Sequence, residues 1–177
     1  MTHPSSPGAR PRPLTASDLA PQSWSTGIVI RHGDCDPAGI VYTPQFFDLF
    51  NQAIETWFCE RLGIDYYDVI GPRRLGLGYA EAASIFFTPC MMGERLQIHV
   101  AVERVGSSSY TLVLHAMKDG HEALRGRFTT VVTCLKKHRP VEIPADIRTA
   151  LANYGHETRL SAADKVGTGP EAYHSTE

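Results

Sequence analysis

Acidic residues and rigid backbone concentrate in one short stretch, HGDCDPAGIVYTP, which spans residues 32–44. The stretch contains two aspartates, Asp34 and Asp36, and an aspartate carboxylate can act as a general base toward water or as a nucleophile. Pro37 restricts Asp36 to an extended backbone, and Gly39 permits a positive φ. The sequence therefore predicts a stiff loop that holds a carboxylate in one place.

The residues that follow this loop change to a helical pattern. Apolar residues between positions 46 and 62 recur at helical spacing, and polar residues lie largely opposite them. Thr43 can serve as the N-cap, Pro44 fits the first helical position, and Gly63 is a plausible stop. We therefore expect the unpaired N–H groups and the positive end of a long helix at the end of the loop.

The same loop also fits less specific interpretations. Asp, Gly and Pro are ordinary turn residues, so the pattern alone is compatible with a turn followed by a capped helix. A metal site is not expected, because consecutive loop residues lack a recognised zinc-ligand spacing. We expect His32 to lie at a strand end with its hydrogen bonds satisfied, and Cys35 to be inert.

The rest of the ordered chain alternates with a period of two, which indicates strands. The expected order is one strand, the long helix, a short second helix, four antiparallel strands and a terminal helix, which makes an α+β domain. The expected strands cover 24–32, 77–89, 96–103, a segment from 110 that ends before the turn at 119–120, and 123–137; the expected helices cover 46–62, 65–70 and 143–154.

Length and composition limit the classes of protein. The 177 residues suit one domain, and 17 basic against 19 acidic residues give a net charge of −2, which argues against nucleic-acid binding. No apolar run approaches the roughly 18 residues of a membrane span, and there is no signal-peptide pattern. Four widely spaced cysteines without a CxxC pair favour the cytoplasm. We expect a disordered tail at 1–23, a domain at 24–160 and a flexible tail at 161–177.

The order of elements and the run GDCDPAGIVYTP together resemble the hotdog-fold thioesterases, specifically the 4-hydroxybenzoyl-CoA thioesterase-like group, over roughly residues 24–145. The resemblance implies an antiparallel sheet of about five strands wrapped around a long central helix. It also implies hydrolysis of an acyl-CoA thioester without a metal or a bound cofactor, since coenzyme A is part of the substrate. Relatives assemble as homodimers or homotetramers with the substrate groove at a subunit interface.

The resemblance assigns roles within the loop. Asp36 matches the catalytic carboxylate, acting as nucleophile or as general base, and the amide N–H of Thr43 or of a neighbouring residue matches the group that polarises the thioester carbonyl. Asp34 is expected to cap the loop or to hydrogen-bond its backbone. The other loop residues expected to contact substrate are Gly39, Val41 and Tyr42.

Two residues outside the loop, Glu81 and Arg104, are also expected to contact substrate. The sequence departs from the family pattern at two positions that concern substrate binding. Glu81 lies on the strand that should flank the groove, where it could orient water or substrate or form a surface salt bridge. Thr43 stands where relatives commonly carry tyrosine or histidine. The turn VERVGSSSY has only Arg104 where the aryl-CoA enzyme has basic residues for the nucleotide phosphates. The replacement candidates are Arg73, Arg74, Arg125, Arg127, Lys136 and Lys137.

The expected substrate is an aromatic or medium-chain acyl-CoA. Three alternatives stay open: a thioesterase for acyl-carrier-protein esters, a hotdog dehydratase or hydratase, and a non-catalytic acyl-CoA-binding module. The dehydratase chemistry normally needs a histidine paired with an acid, and His32 is the only histidine near the loop.

Overall fold

Residues 11–163 are described by a computed structural model, in which one antiparallel sheet curls around a long helix. The strands are β1 Ser25–Val29, β2 Leu75–Phe86, β3 Arg95–Val105, β4 Ser109–Lys118, β5 His121–Cys134 and β6 Arg139–Pro140. The helices are α1 Gln45–Glu60, α2 Tyr66–Ile70 and α3 Ala145–Ala163. The predicted α+β class is confirmed, and the two-residue β6 is added to the five expected strands.

The strands are arranged in the order β1-β3-β4-β5-β2, and β6 pairs with β5. Every pair is antiparallel, and side chains alternate between the two faces, so one face is apolar. In β3, Leu96, Ile98, Val100 and Val102 are buried on the helix side. Because β2 ends the order, one of its long sides has no neighbouring strand among the described residues.

Helix α1 supplies the centre of the core because its apolar residues form one continuous face. The buried side chains of this face are Phe46, Leu49, Phe50, Ala53, Ile54, Trp57 and Phe58. Gly126 of β5 makes room for this helix, since a Cβ there would lie 2.8 Å from the ring of Phe50. The helix is therefore fixed against the sheet at the level of its first two turns.

The start of α1 differs slightly from the prediction. The helix begins at Gln45, Pro44 is its N-cap, and no side chain makes a capping hydrogen bond there. The expected N-cap role of Thr43 is therefore wrong. The Thr43 carbonyl instead accepts the Phe46 N–H at 3.3 Å, so the first turn is closed by backbone groups.

The second half of the segment expected to be a disordered tail contacts the sheet. The Ala16 N–H donates to the Gly120 carbonyl at 2.9 Å, and the Glu122 N–H donates to the Leu14 carbonyl at 2.8 Å. The Leu14 N–H in turn donates to the Glu122 carboxylate at 2.9 Å. These contacts differ from the expectation for 1–23, because the sparse apolar composition of that segment does not reveal backbone pairing to a distant strand. Residues 1–10 lie outside the described part.

Helix α3 is longer than the predicted 143–154 and packs beside β3. Its Tyr154 hydroxyl donates to the Val100 carbonyl at 2.6 Å, and its Gly155 lies against the Val102 side chain. The helix extends into the predicted tail at 161–177, of which 164–177 lies outside the described residues. No helix in the described range is both long and apolar enough to cross a membrane.

Candidate active site

The loop between β1 and α1 folds back on itself as a small hairpin. The Asp36 N–H donates to the Ile40 carbonyl and the Tyr42 N–H donates to the Asp34 carbonyl, both at 2.9 Å. The turn is closed by the Gly39 N–H, which donates to the Asp36 carbonyl at 2.9 Å. Gly39 has a φ of 77°, a conformation that glycine adopts without strain. These backbone hydrogen bonds explain the rigidity that was expected of the loop.

The segment between β2 and β3 holds this hairpin in place. The Val41 N–H donates to the Cys90 carbonyl at 2.9 Å, and the Met92 N–H donates to the Gly39 carbonyl at 3.1 Å. The Val41 side chain is buried. Only the backbone of Val41 can therefore make the expected contact with substrate. The Tyr42 side chain is 58% exposed and is accessible to substrate.

The Asp36 carboxylate is held by one of its two oxygens. Asp36 Oδ1 accepts the Ala38 N–H at 2.8 Å and the Ile40 N–H at 3.4 Å. Asp36 Oδ2 has no hydrogen-bond donor among the described residues. The side chain is half-buried and lines an open cavity of about 340 Å³. The other residues of the cavity wall are His32, Cys35, Pro37, Gly39 and Met92.

The Thr43 amide is the unused donor at the start of α1. The N–H groups of Gln45, Phe46 and Phe47 donate to the carbonyls of the residues three positions before them, at 2.8, 3.3 and 3.1 Å. Pro44 has no N–H group. Within the described range the Thr43 N–H makes no hydrogen bond, so it can donate to a ligand oxygen.

Asp34 occupies the structural position that the sequence predicted. Its Oδ2 accepts the Arg31 N–H at 2.7 Å, and its carbonyl accepts the Tyr42 N–H. Both bonds stiffen the loop. His32, by contrast, lies in a single 3₁₀ turn rather than in the strand, and its exposed ring has no hydrogen-bond partner among the described residues. The expectation that its hydrogen bonds are satisfied is wrong, because β1 ends at Val29 and His32 lies beyond it in an exposed turn.

Glu81 takes part in an ion pair rather than facing the loop. Its Oε2 accepts from Arg127 at 2.7 Å, and Arg127 also pairs with Glu103 at 2.7 Å. Glu81 and Arg127 are exposed, on the face of β2 and β5 that points away from α1. The structure does not bring Glu81 into the wall of the Asp36 cavity.

Arg104 lies far along β3 from the loop. The loop contacts the start of β3, where the Ile30 N–H donates to the Glu94 carbonyl, and Arg104 is roughly 30 Å further along at ~3.3 Å per residue. Arg104 is exposed and forms no ion pair with any described carboxylate. Within one chain, the structure therefore separates it from Asp36.

Three of the six alternative basic residues are already used in ion pairs. Arg73 binds Asp146 at 2.7 Å, and Arg127 bridges two glutamates. Arg125 binds the buried Glu122; burial favours a raised pKa for Glu122, but hydrogen bonds from Arg125, His115 and a backbone N–H outweigh it and lower the pKa to about 2. The other three of the six, Arg74, Lys136 and Lys137, have no carboxylate partner among the described residues.

The sequence interpretation missed Met92 as part of the site. Its side chain is 52% exposed and lines the cavity, and its backbone is bonded to the loop. The available signal was the run PCMMGE, in which Gly93 adopts a φ of 87° and turns the chain next to the loop. No set of three metal-ligating side chains is grouped within residues 11–163.

Known proteins resemble this chain in sequence and in fold. Residues 30–151 match the family model of the Thioesterase-like superfamily. A 1,4-dihydroxy-2-naphthoyl-CoA hydrolase from Synechocystis sp. is 25% identical over 126 residues, covering 70% of this chain and 90% of that protein. A thioesterase superfamily structure from Jannaschia sp. CCS1 has a TM-score of 0.71 at 23% identity and covers 77% of this chain and 95% of that one. The structure of a gentisyl-coenzyme A thioesterase has a TM-score of 0.65 at 25% identity, with coverages of 73% and 100%.

The matched range includes the Asp36 hairpin, α1 and the four long strands β2 to β5, and it is well over half of the chain. The hotdog-type fold expected from the loop and the order of elements is confirmed. This chain belongs to the thioesterase-like superfamily.

Proposed function

We propose that this protein hydrolyses the thioester of an aromatic or medium-chain acyl-CoA to the free acid and coenzyme A. The observation that carries the proposal is that Asp36 Oδ2 has no hydrogen-bond donor among the described residues, while the Thr43 N–H, later in the same loop at the start of α1, is unused. A carboxylate oxygen and a backbone donor are sufficient for thioester hydrolysis, because a thiol of pKa about 8.5 can leave as thiolate, although a general acid would still speed its departure.

The proposed reaction begins at Asp36 Oδ2. Either this oxygen removes a proton from the attacking water, or it attacks the thioester carbon itself. In both cases negative charge develops on the carbonyl oxygen, and the Thr43 N–H and the positive end of α1 stabilise it. Because Oδ1 is held by the Ala38 and Ile40 N–H groups, the carboxylate need not reorient before the attack.

An aromatic acyl group is our first choice of substrate. The relatives named as hydrolases of 1,4-dihydroxy-2-naphthoyl-CoA and of gentisyl-coenzyme A act on aryl esters by name. The half-exposed Met92 side chain provides an adaptable apolar wall for such a ring.

We propose no metal and no cofactor, since the carboxylate and the N–H group supply the chemistry. The four free cysteines are compatible with a cytoplasmic enzyme.

We further propose that the enzyme is a homo-oligomer built along the free edge of β2. Residues 78–83 of this edge strand are all exposed, and so is Phe86. An exposed edge of this length is a template for pairing with a second chain. Antiparallel pairing about the middle of β2 would place the Leu75 end of one copy beside the Phe86 end of the other.

That arrangement suggests a site for the phosphates of coenzyme A. Phe86 packs on Phe46 in the first turn of α1, next to the Asp36 hairpin. At the other end of β2, the Arg74 carbonyl accepts the Leu135 N–H at 3.0 Å, which ties the 134–139 hairpin to that end. The unpaired Arg74, Lys136 and Lys137 of one copy would then lie near the loop of the other copy. Arg104 is the alternative candidate for binding the phosphates.

The experiment that tests the proposal is a thiol-release screen over aryl and medium-chain acyl-CoA esters, with and without EDTA, beside the matching carrier-protein esters. We expect release from an aryl-CoA ester at the same rate in EDTA. Binding without thiol release would instead support a non-catalytic acyl-CoA-binding module. Faster release from the carrier-protein ester would support a thioesterase for acyl-carrier-protein esters. Light scattering of the same sample measures the oligomer, and a monomer at working concentration would contradict the β2 interface.

A further inference from the structure

His32 and Asp36 line the same cavity, together with Gly39 and Met92. We propose that His32 donates a proton to the departing thiolate. This inference rests on the proposed thioesterase activity and adds a residue to its mechanism.

The imidazole of His32 is free to react, which distinguishes it from the histidines on the sheet. His99 contacts the Ser23 hydroxyl at 3.5 Å, His115 binds the Glu122 carboxylate at 2.7 Å, and His121 contacts the Asp119 carbonyl at 3.1 Å. Among the described residues the His32 ring has no such partner. The two ring nitrogens are therefore available to substrate and water in the cavity.

The backbone around His32 is fixed although its ring is free. The Cys35 N–H donates to the His32 carbonyl at 3.3 Å, and the Asp34 N–H donates to the Arg31 carbonyl at 3.0 Å. The Asp34 carboxylate closes the same turn through the Arg31 N–H. The backbone of His32 therefore keeps its position relative to the Asp36 hairpin, which follows directly in the chain.

The position of His32 gives the reaction a complete proton path. Asp36 takes one proton from the attacking water, and the carbon–sulfur bond then breaks with its electron pair on sulfur. Protonated His32 transfers its proton to that sulfur and forms the free thiol. The protonated Asp36 returns its proton to neutral His32 through cavity water, while the proton of the new carboxylic acid is released to solvent. Imidazole suits this relay because it gains and loses a proton near neutral pH.

The test varies the acidity of the leaving thiol with the acyl group unchanged. Single-turnover thiol release is measured for an aryl-CoA ester and for the nitrothiophenol ester of the same acid, in wild type, His32→Gln and His32→Asn. The matched control is His156→Gln, an exposed histidine on α3 away from the cavity. We expect both His32 variants to lower release from the CoA ester about tenfold, since general acids typically contribute at least this much. Release from the nitrothiophenol ester should change less than about twofold, because that thiolate needs no proton to leave.

Equal losses on the two esters would overturn the proposal, because a structural effect does not depend on leaving-group acidity. Unchanged release from the CoA ester in both His32 variants would also overturn it. These outcomes differ from failure of the proposed function, in which the wild-type protein would release thiol from neither ester. Melting temperatures equal to wild type are expected for both variants, since the ring is exposed and packs into no core.

Discussion

Asp36 and Ile40 bind each other twice across the tip of the loop. The Asp36 N–H donates to the Ile40 carbonyl at 2.9 Å, and the Ile40 N–H points back at Asp36 Oδ1 at 3.4 Å. This reciprocal contact leaves Oδ2 as the oxygen without a donor among the described residues. The position of the reactive oxygen is thus set by the backbone of the same short loop rather than by distant side chains.

Asp34→Asn tests the separation of structural from chemical roles in the loop. The change weakens the charge-assisted bond to the Arg31 N–H, so we expect a loss of about 1 kcal/mol in the free energy of unfolding. The kcat should fall only to the extent that the weakened bond disturbs the geometry of the loop. Urea unfolding and kcat are measured on the same sample. A stable variant with a kcat loss as large as that of an Asp36 variant would assign Asp34 to the chemistry.

Substitution of the unpaired cations tests phosphate binding. Lys136→Ala combined with Lys137→Ala should raise KM for the acyl-CoA more than it lowers kcat, because binding shared by ground and transition states is removed. Added salt should weaken wild-type binding and have less effect on the double variant. Arg104→Ala serves as the comparison. A larger KM increase in Arg104→Ala would move the phosphate site to the β3–β4 end of the sheet.

The pH dependence of stability should report Glu122. Its folded-state pKa of about 2 lies below the ordinary value of 4.5, so ionised Glu122 stabilises the fold above about pH 4.5. That contribution, on the order of 3 kcal/mol, is lost as the pH falls from 4.5 toward 2. Thermal unfolding of wild type and Glu122→Gln across this range should therefore converge at low pH. A constant difference between the two proteins would show that the carboxylate charge is not the cause.

Deletion of residues 1–23 should lower the melting temperature. It removes the Leu14 N–H from the buried Glu122 carboxylate and the Arg12 carbonyl from Arg125. A buried charge that loses a donor is costly. The same deletion in Glu122→Gln should cost less stability, because the neutral side chain needs the donor less. Equal losses in both backgrounds would assign the effect to strand pairing alone.

The fold and the central loop were predictable because their signals are local. Pro37, Gly39 and the aspartates are adjacent in sequence, and the apolar face of α1 is a periodic pattern of neighbouring residues. The contacts of the N-terminal segment were not predictable, since Leu14 and Glu122 are 108 residues apart. The pairing of Arg127 with Glu81 and Glu103 was likewise hidden, because strand register decides which charges of different strands meet.

The measurement that tests the central claim most directly is the kcat of Asp36→Asn on the best acyl-CoA of the screen. Asparagine keeps an oxygen that can accept the Ala38 N–H, so the melting temperature should stay close to wild type. Loss of the carboxylate charge should lower kcat by about 10²–10⁴-fold, while substrate still binds. A folded Asp36→Asn protein with near-normal kcat would contradict the assignment of Asp36 as the catalytic carboxylate.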